Sequence, residues 1–513
     1  MTRQPRAPRW LALLLCAALL LTLSVPALAA SAKPFQVVLT SNVAGMDPLR
    51  TNDRASTYVN TQMYETLYLI NREGEIEPLL AAEMPVFAED GKSVTIKLRE
   101  GVVFHDGTPF NAEAVKHTFE LIKNPDFGSA RASLAASMES LEAVDEHTLK
   151  INLNYEDGVL LAKLAHTNSA IVSPTAQQTQ DLMVQPCGTG PYQFVSAVSG
   201  SSVTLKHFDQ YWGEKPAIED VVMTIILEES TALARLQTGE ADFLPSVTIE
   251  SLPRVQSMQG VSLGTQDSAQ IYYLPLRPTS WVNPLMANKD FRTAIIKSID
   301  KGSYVQYVME GKATVANSVI GPKVLGYDPE AEAACITYDL EGAKALVAAN
   351  NWQDEPIHFL VPTSPIYTPM GEFFQANLKA AGFNNVKMEM IDWAAWLTES
   401  KLEDRFDITL AAWANVTRDG TELLEPNWES KVSARNRINN EAFDQLVKDS
   451  KTTVDLAKRM EALKAANVLL LSEAYVAPLF NAEYDFAWNS KDYANVDLTT
   501  DGSFYIKEFQ LAP

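Results

Sequence analysis

The stretch GVVFHDGTPFNAEAVKHTFELI, residues 101–122, holds residue types that metal and acid–base chemistry use: His105 beside Asp106, then His117. The chain has six His and three Cys in all. No two His stand at the spacing of a helical zinc pair, and no Cys lies close to another Cys or to a His. A metal site would have to assemble from distant residues. A structural account is simpler. Asp106 can cap a turn through its own side chain, and Gly107 supplies the positive φ such a turn needs. Asn111 is an N-cap candidate with Glu113 in the following first turn. The helix it opens carries an apolar stripe of Val115, Phe119 and Ile122, which leaves His117 off the stripe and solvated. Nucleophile signals are equally thin. There is no Gly-x-Ser-x-Gly elbow and no Gly-x-x-x-x-Gly-Lys phosphate loop. GTGPY (188–192) lacks the third glycine and the helix start of a phosphate cradle, and reads as a turn. No catalytic residue, resident metal or cofactor is assigned.

Aromatic residues are more informative. DWAAW places Trp393 and Trp396 three apart at the start of a helix. FDITLAAWANVTRDG then reads as an alternating strand ending at Trp413, followed by a polar loop with Arg418 and Asp419. A strand running into such a loop suits a cleft that stacks on a ligand and pairs a cation. The plainer alternatives are that one or both of Trp393 and Trp396 are core, and that Asp419 only forms a turn with Gly420.

The elements that must position these residues lie behind a leader. Arg3, Arg6 and Arg9 precede an apolar run from Trp10 to Leu23, and Ala27-Leu28-Ala29 has the small residues of a cleavage site. Residues 1–29 are therefore a secretory signal peptide, too short for a stable membrane span. Cys16 is preceded by Leu15 and lies inside the run, so export as a soluble protein is expected rather than lipidation. The remaining ~480 residues, at roughly 100–200 per domain, suggest two or three domains. The net charge of −22 and the lack of a basic stripe argue against nucleic acid as a partner. Cys187 and Cys335 are expected to be unpaired thiols.

Strand and helix patterns are mixed throughout, as in a mixed α/β protein. FQVVLTS (35–41) is an early buried strand, and STYVNTQMYETLYLI (56–70) reads as one helix. DGKSVTIKLREG (90–101) and HTLKINL (147–153) alternate as strands. A second alternating block begins near Gln270, and the helix DLAKRMEALKAANVLLLSEA precedes a C-terminal tail. Two comparable blocks suggest two lobes with a cleft between them.

The block YETLYLINREGEIEPLLAAEMPVFAEDGKSVTIKLREGVVFHDGTPFNAEAVKHTFELI (64–122), followed in order by GTGPY, LARLQTGEADF, FRTAIIKSIDKGSYV and FDITLAAW, resembles extracellular solute-binding protein family 5, the peptide- and nickel-binding receptors of ABC importers. The resemblance spans essentially the whole mature chain. It implies a two-lobed, three-domain periplasmic-binding-protein fold with a ligand cleft between the lobes. Domain I would be discontinuous (30–64, 186–268 and 484–513), domain II would span 65–185, and domain III 269–483. The protein would be a periplasmic monomer, not an enzyme and not stably inserted in a membrane. It would pass a peptide, most simply a short oligopeptide, to an inner-membrane permease.

The same resemblance implies the site. Asp419 would hold the peptide ammonium, and Ala412, Trp413, Ala414, Asn415 and Val416 would pair its backbone. Trp393 and Trp413 would line side-chain pockets, and Ser41, Asn42 and Val43 would contact ligand from domain I. Dipeptide receptors place an Arg for the ligand carboxylate where this chain has Ser364, so strict dipeptide specificity is not expected; Arg131 could supply that charge from domain II. No His follows His358, which disfavours the nickel-chelate pattern. A receptor for a nickel chelate, an opine or another amine-bearing solute is the alternative within the fold. A secreted hydrolase is the rival from another class.

Overall fold

The computed structural model describes residues 33–513, so the signal peptide expected at 1–29 lies outside the described residues. The largest element is a mixed nine-stranded sheet. Its strands are β1 (Phe35–Leu39), β2 (Tyr192–Val198), β3 (Ser202–His207), β4 (Asp220–Ile225), β5 (Phe243–Leu244), β6 (Val261–Pro275), β7 (Ala313–Val315), β8 (Ala411–Trp413) and β9 (Val476–Asn489). They lie in the order β8-β6-β9-β5-β1-β4-β3-β2, with β7 also on β9. An antiparallel sheet of Val86–Phe87, Ser93–Lys97, Thr148–Leu153 and Met138–Asp145 is built from the 64–153 region. A parallel sheet of Val386–Ile391, Ile357–Pro362 and Ile408–Thr409 is built from the later block.

β6 and β9 are the longest strands, and they tie the two halves together. Residues 261–267 of β6 pair with 483–489 of β9, and residues 271–275 pair with 476–481, with a register break between Asp267 and Ile271. At the break, Ser268 Oγ donates to the Ala482 carbonyl (2.8 Å) and Ala269 N to the Thr500 carbonyl (3.0 Å). One large apolar core gathers residues from 35 to 223 and from 486 to 509 and runs through the segments expected as domains I and II. Two further cores draw only on residues 269–480. No residue of 65–185 belongs to those two cores.

Three sequence expectations are corrected. The helix expected over 56–70 is α1 (Arg54–Met63), and Tyr68–Ile70 instead pairs antiparallel with Ile76–Pro78. Continuing α1 would require the Met63 carbonyl to accept from residue 67. That carbonyl accepts from Gly190 N at 2.9 Å, and Tyr64 turns extended. Gly190 is required there, because a Cβ would stand 2.5 Å from the Met63 carbonyl carbon. The segment FDITLAAW is not one strand. Ile408–Thr409 pairs with Phe359–Leu360, whereas Ala411–Trp413 crosses to the main sheet and pairs with Ile271–Tyr273. The C-terminal region is not a tail, because β9 lies inside the main sheet.

The 101–122 stretch is a junction. Asp106 accepts from Thr108 N (2.9 Å) and from Ser173 Oγ (2.6 Å). Asn111 caps helix α2 (Ala112–Lys123) by accepting from Ala114 N. His105 Nε2 is 2.9 Å from the Gly190 carbonyl, and its Nδ1 accepts from Gly188 N at 3.3 Å. His105 thus pins this turn to the GTGPY loop that stops α1. His117 is half-buried rather than solvated, with its Nε2 unpartnered. Cys187 and Cys335 are both free thiols, and Cys187 is buried.

Burial lowers the His105 pKa to about 4. The unfolded chain, near the ordinary value of about 6.5, takes up a proton first, so this contribution is complete above about pH 6.5 and is lost as pH falls towards 4. We expect unfolding free energy to drop between pH 7 and 4.5. The His105→Gln variant should show a slope shallower by on the order of 1–2 kcal/mol across that window. Urea titrations of both proteins at several pH values measure this; identical slopes would remove His105 as the cause.

Candidate ligand-binding site

The site begins where β8 ends. β8 is the last strand of the sheet, bonded to β6 along one edge. The chain leaving it bends through two left-handed residues, Asn415 (φ 45°) and Arg418 (φ 51°). Asparagine tolerates that conformation, but arginine adopts it at a cost of roughly 1–2 kcal/mol. The bend is held by Arg418 N donating to the Asn415 carbonyl (3.0 Å) and by Leu325 N donating to the Arg418 carbonyl (2.7 Å). It turns Asn415 and Thr417 inward, 2% and 8% exposed. Both amide atoms of Asn415 and the Thr417 Oγ1 are buried without a hydrogen-bond partner. Orphaned polar atoms of this kind cost about 1–3 kcal/mol each, and a native chain keeps them where something else satisfies them.

They face a cavity of about 120 Å³. Ala412–Thr417 line it together with Arg131, Ser133 and Leu134. His166, at the end of the helix Leu160–Ala165, and Glu422, in the first turn of α3 (Gly420–Trp428), complete the lining. Arg131 Nε is also buried and unpartnered. His166 Nδ1 accepts from Asn168 N at 3.0 Å, which places the imidazole proton on Nε2. Burial first, and then Arg131, lowers its pKa to about 3, so His166 is a neutral N–H donor. Burial pushes Glu422 up to about 7; Lys163 opposes that shift, and Asp419, Glu425 and Asp157 reinforce it.

A second cavity of about 190 Å³ is lined by Ser41, Arg54, Tyr58 and Tyr484. The Arg54 guanidinium donates to the Asp501 carbonyl and to Tyr484 Oη (3.1 Å). Arg418, 4% exposed, donates from Nη1 to the Asn71 carbonyl (3.1 Å), and its Nε has no partner. The Asp501 carboxylate acts electrostatically on Arg54, His166 and Arg418.

The expected residues therefore divide. Arg131 and Ala412–Val416 meet at one cavity, and Ser41 lies at the other. Asn42 is exposed, and Val43 packs against the first core. Trp393 is 45% exposed and stacks between Tyr367 (5.9 Å) and Trp396 (5.0 Å), away from both cavity linings. Trp396 is the core member of the pair, with its Nε1 donating to Thr409 Oγ1. Asp419 is engaged within the protein. It is 2% exposed, N-caps α3 by accepting from Thr421 N (2.9 Å), and takes Arg459 Nη2 on both oxygens (2.8 and 2.7 Å). Three hydrogen bonds from within the protein thus converge on this carboxylate. His166, which lines the first cavity, was not among the expected residues. Arg418 was visible in the loop, but only its left-handed backbone turns it inward, and sequence spacing does not encode that.

Two halves joined by long strands, with polar cavities lined by orphaned donors, define a solute-binding protein. The chain belongs to the bacterial extracellular solute-binding proteins, family 5, whose middle region matches residues 75–434. It is 26% identical over 500 residues to the glutathione-binding protein GsiB of Shigella flexneri, covering 94% of this chain and 95% of that one. The fold is shared with HbpA2 of Haemophilus parasuis (TM-score 0.83, 23% identity, 94% of this chain and all of that one). It is also shared with a dipeptide-binding protein of Pseudoalteromonas in complex with Met-Leu (TM-score 0.77, 22% identity, 93% of this chain and all of that one).

The Asp419–Arg459 geometry predicts a structural phenotype. Asp419→Ala leaves a buried guanidinium unpaired and should lower unfolding free energy by about 3–5 kcal/mol. Denaturant titration checks this; a loss below 1 kcal/mol would show the pair to be dispensable.

Proposed function

We propose that the protein is a periplasmic receptor that binds short peptides and delivers them, unreacted, to the inner-membrane permease of an ABC importer. The observation that carries this reading is the position of β8. It ends the main sheet, and its Ala412–Ala414 run lines a cavity that Arg131 also lines. A peptide laid along that run would extend the sheet by β-augmentation, with affinity from backbone hydrogen bonds rather than from any one side chain. Arg131 would take a ligand carboxylate. The glutathione-binding relatives support a small peptide, since glutathione is a tripeptide. In this reading domains I, II and III keep the boundaries given above, Ser41 contacts ligand from domain I, and the two halves close over the ligand to exclude water.

Native mass spectrometry of the protein purified from its own periplasm tests the reading. Bound masses corresponding to short peptides, released intact on denaturation, are expected; a metal chelate or a sugar in their place would overturn it. Arg131→Ala should weaken the binding of the peptides so identified by on the order of 1.5–3 kcal/mol, the worth of a hydrogen bond to a charged group. Calorimetry reads that loss, and unchanged affinity would take Arg131 out of the site.

A further inference from the structure

The ionisable groups that line the cavity beside β8 are Arg131, His166 and Glu422. His166 is neutral, with its proton on Nε2. The lining therefore holds one cation and one anion. The two do not neutralise each other: among the described residues, no ion pair and no side-chain hydrogen bond engages either Arg131 or Glu422. Lys163, the cation whose field reaches Glu422, is itself held by Asp157 at 2.8 Å. Arg131 is half-buried, and its Nε is buried without a partner. Charges set in such a lining call for partners of opposite sign.

The neutral groups narrow what those partners can be. Asn415 is 2% exposed, and its amide is unpartnered at both ends, one a donor and the other an acceptor. Both ends belong to one planar group, so what satisfies them must present an acceptor and a donor side by side. Thr417 Oγ1, also unpartnered, can donate or accept. A ligand amide would satisfy Asn415 but neither Arg131 nor Glu422. An anion and a cation carried close together satisfy all of them. An ordinary α-linked peptide has its ammonium and carboxylate at opposite ends, and each added residue parts them by up to about 3.3–3.6 Å. An α-amino-acid head has both on one carbon. A peptide keeps that head free when its first residue is joined through a side-chain carboxyl, as in a γ-glutamyl linkage. The chain leading away from such a head can still run along Ala412–Ala414.

Resting on the peptide reading above, we infer that this cavity holds a free α-amino-acid head, and that the ligand is a short peptide joined to it through the side-chain carboxyl. The head carboxylate lies with Arg131, the His166 Nε2–H and the Asn415 Nδ2. The head ammonium lies with Glu422 and donates to the Asn415 Oδ1. Glu422, not Asp419, is the acidic residue that meets the ligand.

The test is calorimetry at pH 7 on protein freed of ligand by unfolding and refolding. The probes are γ-Glu-Ala-Gly, its α-linked isomer Glu-Ala-Gly, and L-glutamine. The two tripeptides have the same atoms and the same net charge, and both ammonium groups are charged at this pH. The γ-linked isomer should bind tenfold or more tighter than the α-linked one. In Glu422→Gln that ratio should fall to about threefold or less. Melting curves establish that the variant is folded. If it is not, Asn415→Gly takes its place with the same expected fall, since glycine keeps the left-handed backbone and removes the amide. An unchanged ratio in the folded variant would overturn the inference. The two isomers binding equally, or the α-linked one more tightly, would overturn it and leave the peptide reading standing. L-Glutamine binding where neither tripeptide binds would overturn the peptide reading and leave recognition of the head standing. No binding by any probe would overturn both.

Discussion

The antiparallel pair of β6 and β9 is the constraint on which the rest of the molecule depends. One end of the pair continues the sheet that β1 and β5 belong to, and the other end carries β8 and the later helices. The pairing runs along nearly its whole length, with register shifts between Asp267 and Ile271 and between Tyr272 and Tyr273. The site lies beside the first of these, since Ile271 is the residue that pairs with Trp413. Because a strand offers two hydrogen-bonding edges, fixing one edge of β8 on β6 leaves the other for whatever enters the cavity.

Away from this pair, the segments 65–185 and 269–483 meet through polar groups. Gly158 N donates to the Lys451 carbonyl, Val454 N to Glu156 Oε1, and Arg418 to the Asn71 carbonyl. Their apolar cores stay separate. Two buried ion pairs, Lys163–Asp157 and Arg459–Asp419, stand on opposite sides of this boundary, with Glu422 between their charges. Each pair is internally matched and so leaves little net field.

Much of the fold was legible in the chain. The cap at Asn111, the alternation in Ser93–Lys97 and Thr148–Leu153, and the Gly107 turn are local devices, settled by residues a few positions apart. The misread elements share one cause: a distant partner overrules local preference. The Gly190 N–H stops α1, the sheet switch at Leu410 divides what reads as one alternating strand, and β9 is drawn into the sheet by β6 and β5.

The site follows the same rule. Sequence by itself determined the family, the 412–416 wall and the charge at Arg131, because those features are carried by residue type and order. It could not decide how the neighbours Arg418 and Asp419 are partnered within the protein. Both are ionised, adjacent and equally suited to a polar loop. Tertiary structure decided, because Arg459, forty positions later, closes on the Asp419 carboxylate. The left-handed turn at Arg418 sends the guanidinium to the other side. A charge becomes a binding group only when no partner within the protein has already neutralised it, and partners brought together by folding are not written in the local sequence.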